Sequence, residues 1–306
     1  MRTAFLMTSL ALTSAASAAP PRPADAEIAV TAERLSRGAL RAQASKYVRA
    51  TMADARNGQN ARWFDPICAA AIGVESQLGS LFTTRLEQVA SHVGLKMAKP
   101  GCDANLVIAF TSDAPALVKA INRRQHGALD ALPGAERALL KSPTLPVRWW
   151  HFTMPTSADG KPFSPGPLGL GASANGMPSE ITYNNNARAS RIDLTSRVGI
   201  TGAVVVVDIN RLGKVSMPAL TDYVALVALS RIRMDPRERP TGSILAMFEP
   251  GAPQYEGLTD LDERFISAMY ESRATVENWQ QRAEMAGRMA DAAVQPTGSD
   301  EARRQP

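Results

Sequence analysis

The chain has 306 residues, 45% of them hydrophobic and 21% charged, with a formal net charge of +5. That composition excludes a predominantly disordered or fibrous chain and suffices for one large domain or two modest ones. No aromatic platform is interleaved with the basic residues, so nucleic acid is not an expected partner.

Residues 1–18 read as a secretory signal peptide. Arg2 supplies the positive n-region, Ala4 to Leu12 the apolar stretch, and Ala16-Ser17-Ala18 an A-x-A cleavage site. The apolar run is too short to span a bilayer, and no later run approaches the length of a transmembrane segment. A periplasmic or secreted location follows. Residues 19–30, opening on Pro20-Pro21-Arg22-Pro23, read as an extended spacer.

Residues 31–62 are expected to be a basic helical segment carrying seven basic residues and two acidic ones. The rest of the chain therefore holds equal numbers of each sign, and any argument about anionic partners belongs to this segment. Its apolar residues Leu35, Leu40, Tyr47, Val48 and Met52 recur loosely at helical spacing, which predicts a solvated helix resting one thin stripe on the domain. The sharper alternative is a cationic face for anionic lipid or an envelope polymer.

A compact domain is expected over residues 63–273. Residues 66–74 read as a short buried strand. Ser76 reads as the cap of a helix to Val93, with Leu78, Leu81, Phe82, Leu86, Val89 and Val93 on one face. Residues 105–111 read as a buried strand, followed by Asp113 as the cap of a helix with Pro115 in its first turn. Residues 147–153 form the next strand candidate. Residues 155–178 hold ten glycines or prolines in twenty-four positions, which predicts a long irregular loop of the kind that is functional or mobile. The glycines at 166, 169 and 171 fail the dinucleotide fingerprint, so no phosphate cradle is read there.

Two strands are expected around 192–196 and 202–209, the second continuous in β-branched residues and hence covered on both faces. Ser216 caps a helix that is apolar all round from Tyr223 to Leu229, so it belongs in the core. Thr259 and Asp262 form a capping box for a helix carrying Phe265, Ile266 and Met269. A C-terminal helix over 274–293 precedes a disordered tail, 294–306. The order of elements predicts an α+β domain with a mixed β-sheet covered by helices.

Three stretches carry a resemblance: Asp222 to Ser230 following a strand, Ser243 to Phe248, and Leu258 to Phe265 running on to Tyr270. In this order they resemble a secreted proteobacterial family of unknown function with a zincin-like, metallopeptidase-like domain. Zincins place H-E-x-x-H on a helix so that two imidazoles share a zinc ion while the Glu activates water. The resemblance puts Tyr223, Val224 and Val227 in the His, Glu and His slots. Valine neither ligates metal nor accepts a proton, so the resemblance implies a zincin-like scaffold whose zinc motif is lost.

The remaining chemistry is sparse. No metal site and no cofactor are expected. Of the three histidines, His151 alternates to the same strand face as Trp149 and is the one weak catalytic candidate, with Asp103 and Asp113 as weak acid–base candidates. No G-x-S-x-G elbow is present. Trp149, Trp150, Arg231 and Arg233 are candidate binding residues, the arginines as part of an exposed anion-facing rim. Cys68 and Cys102, the only cysteines, read as one disulfide in an exported protein. The expected function is a non-catalytic binding domain, with its pocket between the sheet edge, the 155–178 loop and the 216–232 helix. The alternative is an envelope hydrolase with an atypical site around His151.

Overall fold

The structure, a computed structural model, describes residues 23–53, 58–124, 129, 132–161, 164–165, 171–172, 178–179, 182–183, 193–235 and 239–294, with side chains outside 23–36 and 162–192. The expected signal peptide, the tail beyond 294 and half of the 155–178 loop lie outside the described residues.

The chain is α+β, as its order of patterns predicts. Five strands form the main sheet: β1 (Arg62–Trp63), β2 (Ala69–Ile72), β3 (Leu106–Thr111), β4 (Val147–Ser157) and, after four two-residue strands, β9 (Ser196–Asp208). The short strands are β5 (Ser164–Pro165), β6 (Gly171–Ala172), β7 (Pro178–Ser179) and β8 (Thr182–Tyr183), pairing β5 with β8 and β6 with β7. In the main sheet β9 is central. It runs parallel to β1 and β3 along one side and antiparallel to β4 along the other, while β2 pairs in parallel with the outer side of β3.

Seven helices are described: α1 (Pro23–Thr51), α2 (Ser76–His92), α3 (Ala114–Arg124), α4 (Gly134–Leu140), α5 (Met217–Leu229), α6 (Asp260–Glu271) and α7 (Asn278–Val294). The strand alternation of β4 separates them into layers. Trp149 Nε1 donates to Ile232 O just beyond α5, whereas its neighbour Arg148 points the other way and donates to Ser142 O just beyond α4. Helix α5 therefore covers one face and α4 the other. Every residue of α5 from Ala219 to Leu229 is buried, so its all-round apolar pattern means what it should.

Several expectations are corrected. Helix α1 starts at Pro23, inside the expected spacer, because a first-turn proline needs no N–H partner. It ends at Thr51, where Met52 leaves it to bridge Ile232, so residues 31–62 are helical for most of their length, as expected, but not to their end. Arg62 instead lies buried in β1. The helix is no thin-striped appendage either: Ala44, Tyr47 and Val48 belong to the core. The strand expected around 192–196 is not found: residues 193–195 are irregular, and β9 starts at Ser196 and runs on into the strand expected at 202–209. The pattern is interrupted where Thr201 bulges out between the pairs Phe152–Gly202 and Thr153–Ile200.

Strand β2 is an edge with an exposed Ile72 rather than a buried strand, and Glu75, not Ser76, is the cap position of α2. Leu81 points outward, one residue off the stripe of Phe82, Leu86 and Val89. The C-terminal helix opens at Asn278, because the carbonyl of Ala274 is occupied by Gln59 and Gln281.

At Gly73 the chain turns off β2 with φ +80°, and a Cβ there would meet Phe110 O at 2.1 Å. Only glycine fits this close pass of one strand end over another.

Candidate functional site

Helix α5, onto which the zincin-like resemblance maps its zinc-binding positions, is packed into the core. Tyr223 packs edge-on against Trp149 and Phe248, with ring centroids 6.1 and 5.2 Å away. Val224 and Val227 are buried beside it. Burial pushes the Tyr223 phenol above its usual pKa. The helix is anchored just before the first slot, where Asp222 pairs with Arg85 of α2 and accepts Leu258 N at 2.8 Å. Among the described residues, no three His, Cys, Asp or Glu side chains are grouped to hold a metal ion.

His151 is buried on the α5 side of β4. Its Nε2 lies 3.3 Å from Ala228 O, so the neutral ring donates there. Burial lowers its pKa to about 4, leaving it uncharged at neutral pH. The acids do not join it. Asp113 caps α3, accepting Ala116 N at 3.0 Å. It follows Thr111, which pairs with Asp208, whereas His151 pairs with Ala203 at the other end of that register. Five strand residues separate the two rows, about 17 Å. Asp103 is exposed in the loop before β3.

The two tryptophans do not make a platform, because adjacent strand residues face opposite sides. Trp149 sits under α5, and Trp150 is buried on the other face. Arg231 and Arg233 are half-buried rather than fully exposed. Their segment is bound to the end of α1, with Ala53 N donating to Arg231 O and Arg233 N donating to Thr51 O. The cysteines are joined: Cys68 and Cys102 form a disulfide with Cα atoms 6.1 Å apart. Asn105 fastens the same corner, accepting Cys68 N and donating to Pro66 O.

Helix α1 borders a groove of about 420 Å³, lined by Gln43, Lys46, Tyr47, Ala50, Arg239, Pro240, Thr241 and Leu261. Its two cations are unlike each other. Lys46 is exposed and mobile by type, whereas Arg239 is fixed. The Arg239 guanidinium donates to Arg233 O at 3.0 Å and Met234 O at 3.1 Å and lies 5.5 Å from the Trp149 ring centroid. No carboxylate is among the lining residues, because the nearby Asp262 is turned inward. It accepts Tyr47 Oη at 2.7 Å and Ser243 Oγ at 2.5 Å. Burial and that carboxylate hold the Tyr47 phenol well above its usual pKa.

The sequence reading placed the pocket elsewhere. Arg239 belongs to the arginine-rich 231–239 segment expected to form part of an anion-facing rim, and of that segment it is the residue that lines this groove.

Two further buried guanidiniums escaped notice. Arg148 faces Asp208 at 4.0 Å, and burial lowers its pKa against that carboxylate's pull. Arg62 donates to Ser272 O at 2.7 Å, and burial lowers its pKa to about 10. Nothing in their local sequence separates them from surface arginines.

Compared with protein-family models, curated proteins and solved structures, the chain matches none of them.

Proposed function

We propose that the protein is an exported, non-catalytic binding protein on a zincin-like scaffold that has lost its zinc motif, and that it takes an anionic envelope polymer in the groove along α1. The groove carries this reading: a fixed Arg239 and a facing Lys46 share a concave surface whose lining holds no carboxylate. A preorganised guanidinium costs little entropy on binding, and a groove of one sign concentrates ligands of the other. Thr241 and Gln43 add uncharged hydrogen-bonding groups.

The loss of peptidase chemistry is supported by the slots themselves. Tyr223, Val224 and Val227 fill the core beneath the sheet. The disulfide fits an oxidising compartment. No helix among the described residues is long and apolar enough to cross a membrane.

Calorimetric titration of the mature protein with polygalacturonate tests the reading. Binding is expected to weaken with added salt and to weaken at least about tenfold in the Lys46→Ala, Arg239→Ala double variant. Absence of binding, binding indifferent to the double variant, or binding only to phosphatidylglycerol vesicles overturns the polymer site. Stoichiometric zinc with peptide hydrolysis overturns the non-catalytic reading.

A further inference from the structure

A second groove lies on the other flank of α1, against α7. It measures about 340 Å³ and is lined by Ser45, Arg49, Asn278, Trp279, Arg282 and Ala283. Its volume falls in the range of small-molecule sites, about 300–1,000 Å³. Trp279 is 67% exposed. The other three tryptophans are buried: Trp63, Trp149 and Trp150 expose 1%, 3% and 3%. An indole left in water is unusual for a residue that gains so much from burial.

Its surroundings say what would cover it. The side chains of Arg49 and Trp279 make no hydrogen bond or ion pair to another described residue. Arg282 is held in place by donating to Ala53 O at 3.0 Å. The lining has two guanidiniums, a hydroxyl, an amide and a small alanine beside the indole, and no carboxylate.

We infer that this groove binds an acidic sugar residue, stacking the apolar face of its ring on Trp279 and pairing its acid group with Arg49. A pyranose ring presents an apolar face of C–H groups, hydroxyls at its edge and, in an acidic sugar, one anionic group. The indole face, Ser45 with Asn278, and Arg49 with Arg282 match these in turn. A flat lipid surface fits less well, because the indole forms the wall of a concavity between two helices. This inference names the chemical class of the polymer proposed above, but it stands on different residues, so the two fail separately.

Trp279 is its own reporter, since it is the one exposed tryptophan. The mature protein is titrated with trigalacturonate while acrylamide quenching is followed. Expected is a fall in quenching of at least about twofold at saturation, with binding weakened about tenfold or more by Arg49→Ala and by Trp279→Ala, the latter read by calorimetry. Unchanged melting temperatures show that both variants fold. Maltotriose, which has rings without charge, and inorganic triphosphate, which has charge without rings, are expected to protect poorly.

Three outcomes overturn the inference: no protection by trigalacturonate, equal protection by triphosphate, or protection by phosphatidylglycerol vesicles in place of the sugar. Protection that persists in the Lys46→Ala, Arg239→Ala variant supports this groove whatever becomes of the other one.

Discussion

Asp262 shows how much one buried carboxylate can organise. It accepts from Tyr47 Oη, Ser243 Oγ, Ile244 N, Thr259 N and Thr259 Oγ1, and so joins α1, the 243–244 turn and the start of α6. Replacing it with alanine strands these donors, and each buried unpaired donor costs about 1–3 kcal/mol. Asp262→Ala is expected to lose about 3 kcal/mol or more in urea denaturation, against about 1 kcal/mol for Tyr47→Phe, which removes one donor and leaves the rest paired. A loss below about 1 kcal/mol for Asp262→Ala contradicts the hub.

His151 gives a pH signature with a definite sign. Its folded pKa is depressed to about 4 from the ordinary 6.5. The unfolded chain therefore binds a proton at a higher pH than the folded one. Its contribution is fully present above pH 6.5 and is lost as pH falls toward 4, by about 3 kcal/mol in all. His151→Gln is expected to flatten the stability profile across that window. A profile of equal slope in the variant assigns the acid sensitivity to other groups.

At the scale of elements, α5 allows a test of the proposed zincin-like scaffold. Introducing the H-E-x-x-H pattern by Tyr223→His, Val224→Glu and Val227→His places polar groups where Trp149, Phe248 and neighbouring core side chains now pack. The triple variant is expected to melt lower, or to misfold, without acquiring zinc, because burying an unpaired ionisable group costs several kcal/mol. Metal analysis beside thermal denaturation reads both effects, and a stable variant with stoichiometric zinc contradicts the packing.

Elements with strong local chemistry were legible beforehand. The Thr259–Asp262 capping box, the Ser216 cap and the unbroken apolar run of α5 stand where their residues say, because caps and periodicity act within one turn. What stayed hidden depends on partners far along the chain. Arginine at 62 and 148 reads as surface until the strand around it is buried. The thin stripe of α1 reads as solvated until Phe265 arrives beside Tyr47, with ring centroids 5.4 Å apart. The sugar-binding groove was illegible for the same reason: Arg49 and Trp279 meet only when α1 and α7 pack together.

At the scale of the molecule, the disulfide closes one corner of the sheet by joining the approaches to β2 and β3, 34 positions apart. Loop-closure entropy puts its contribution at about 4 kcal/mol. Reduction, or the Cys68→Ser, Cys102→Ser double variant, is expected to lower the melting temperature by several degrees while Asn105 keeps the same corner hydrogen-bonded. No shift on reduction shows that the Asn105 bonds alone suffice.

The pairing of α1 with α7 also has a consequence in time. Ala53 O and Arg282 are 229 positions apart, and Tyr47 reaches an acceptor 215 positions away. A ribosome adding about 5–20 residues per second needs roughly 10–45 s to deliver the second partner after the first. Through that interval the first helix of the fold must wait with its apolar stripe uncovered. Its docking waits for α6 and α7, so a nascent chain truncated before residue 260 is expected to leave this segment open to protease.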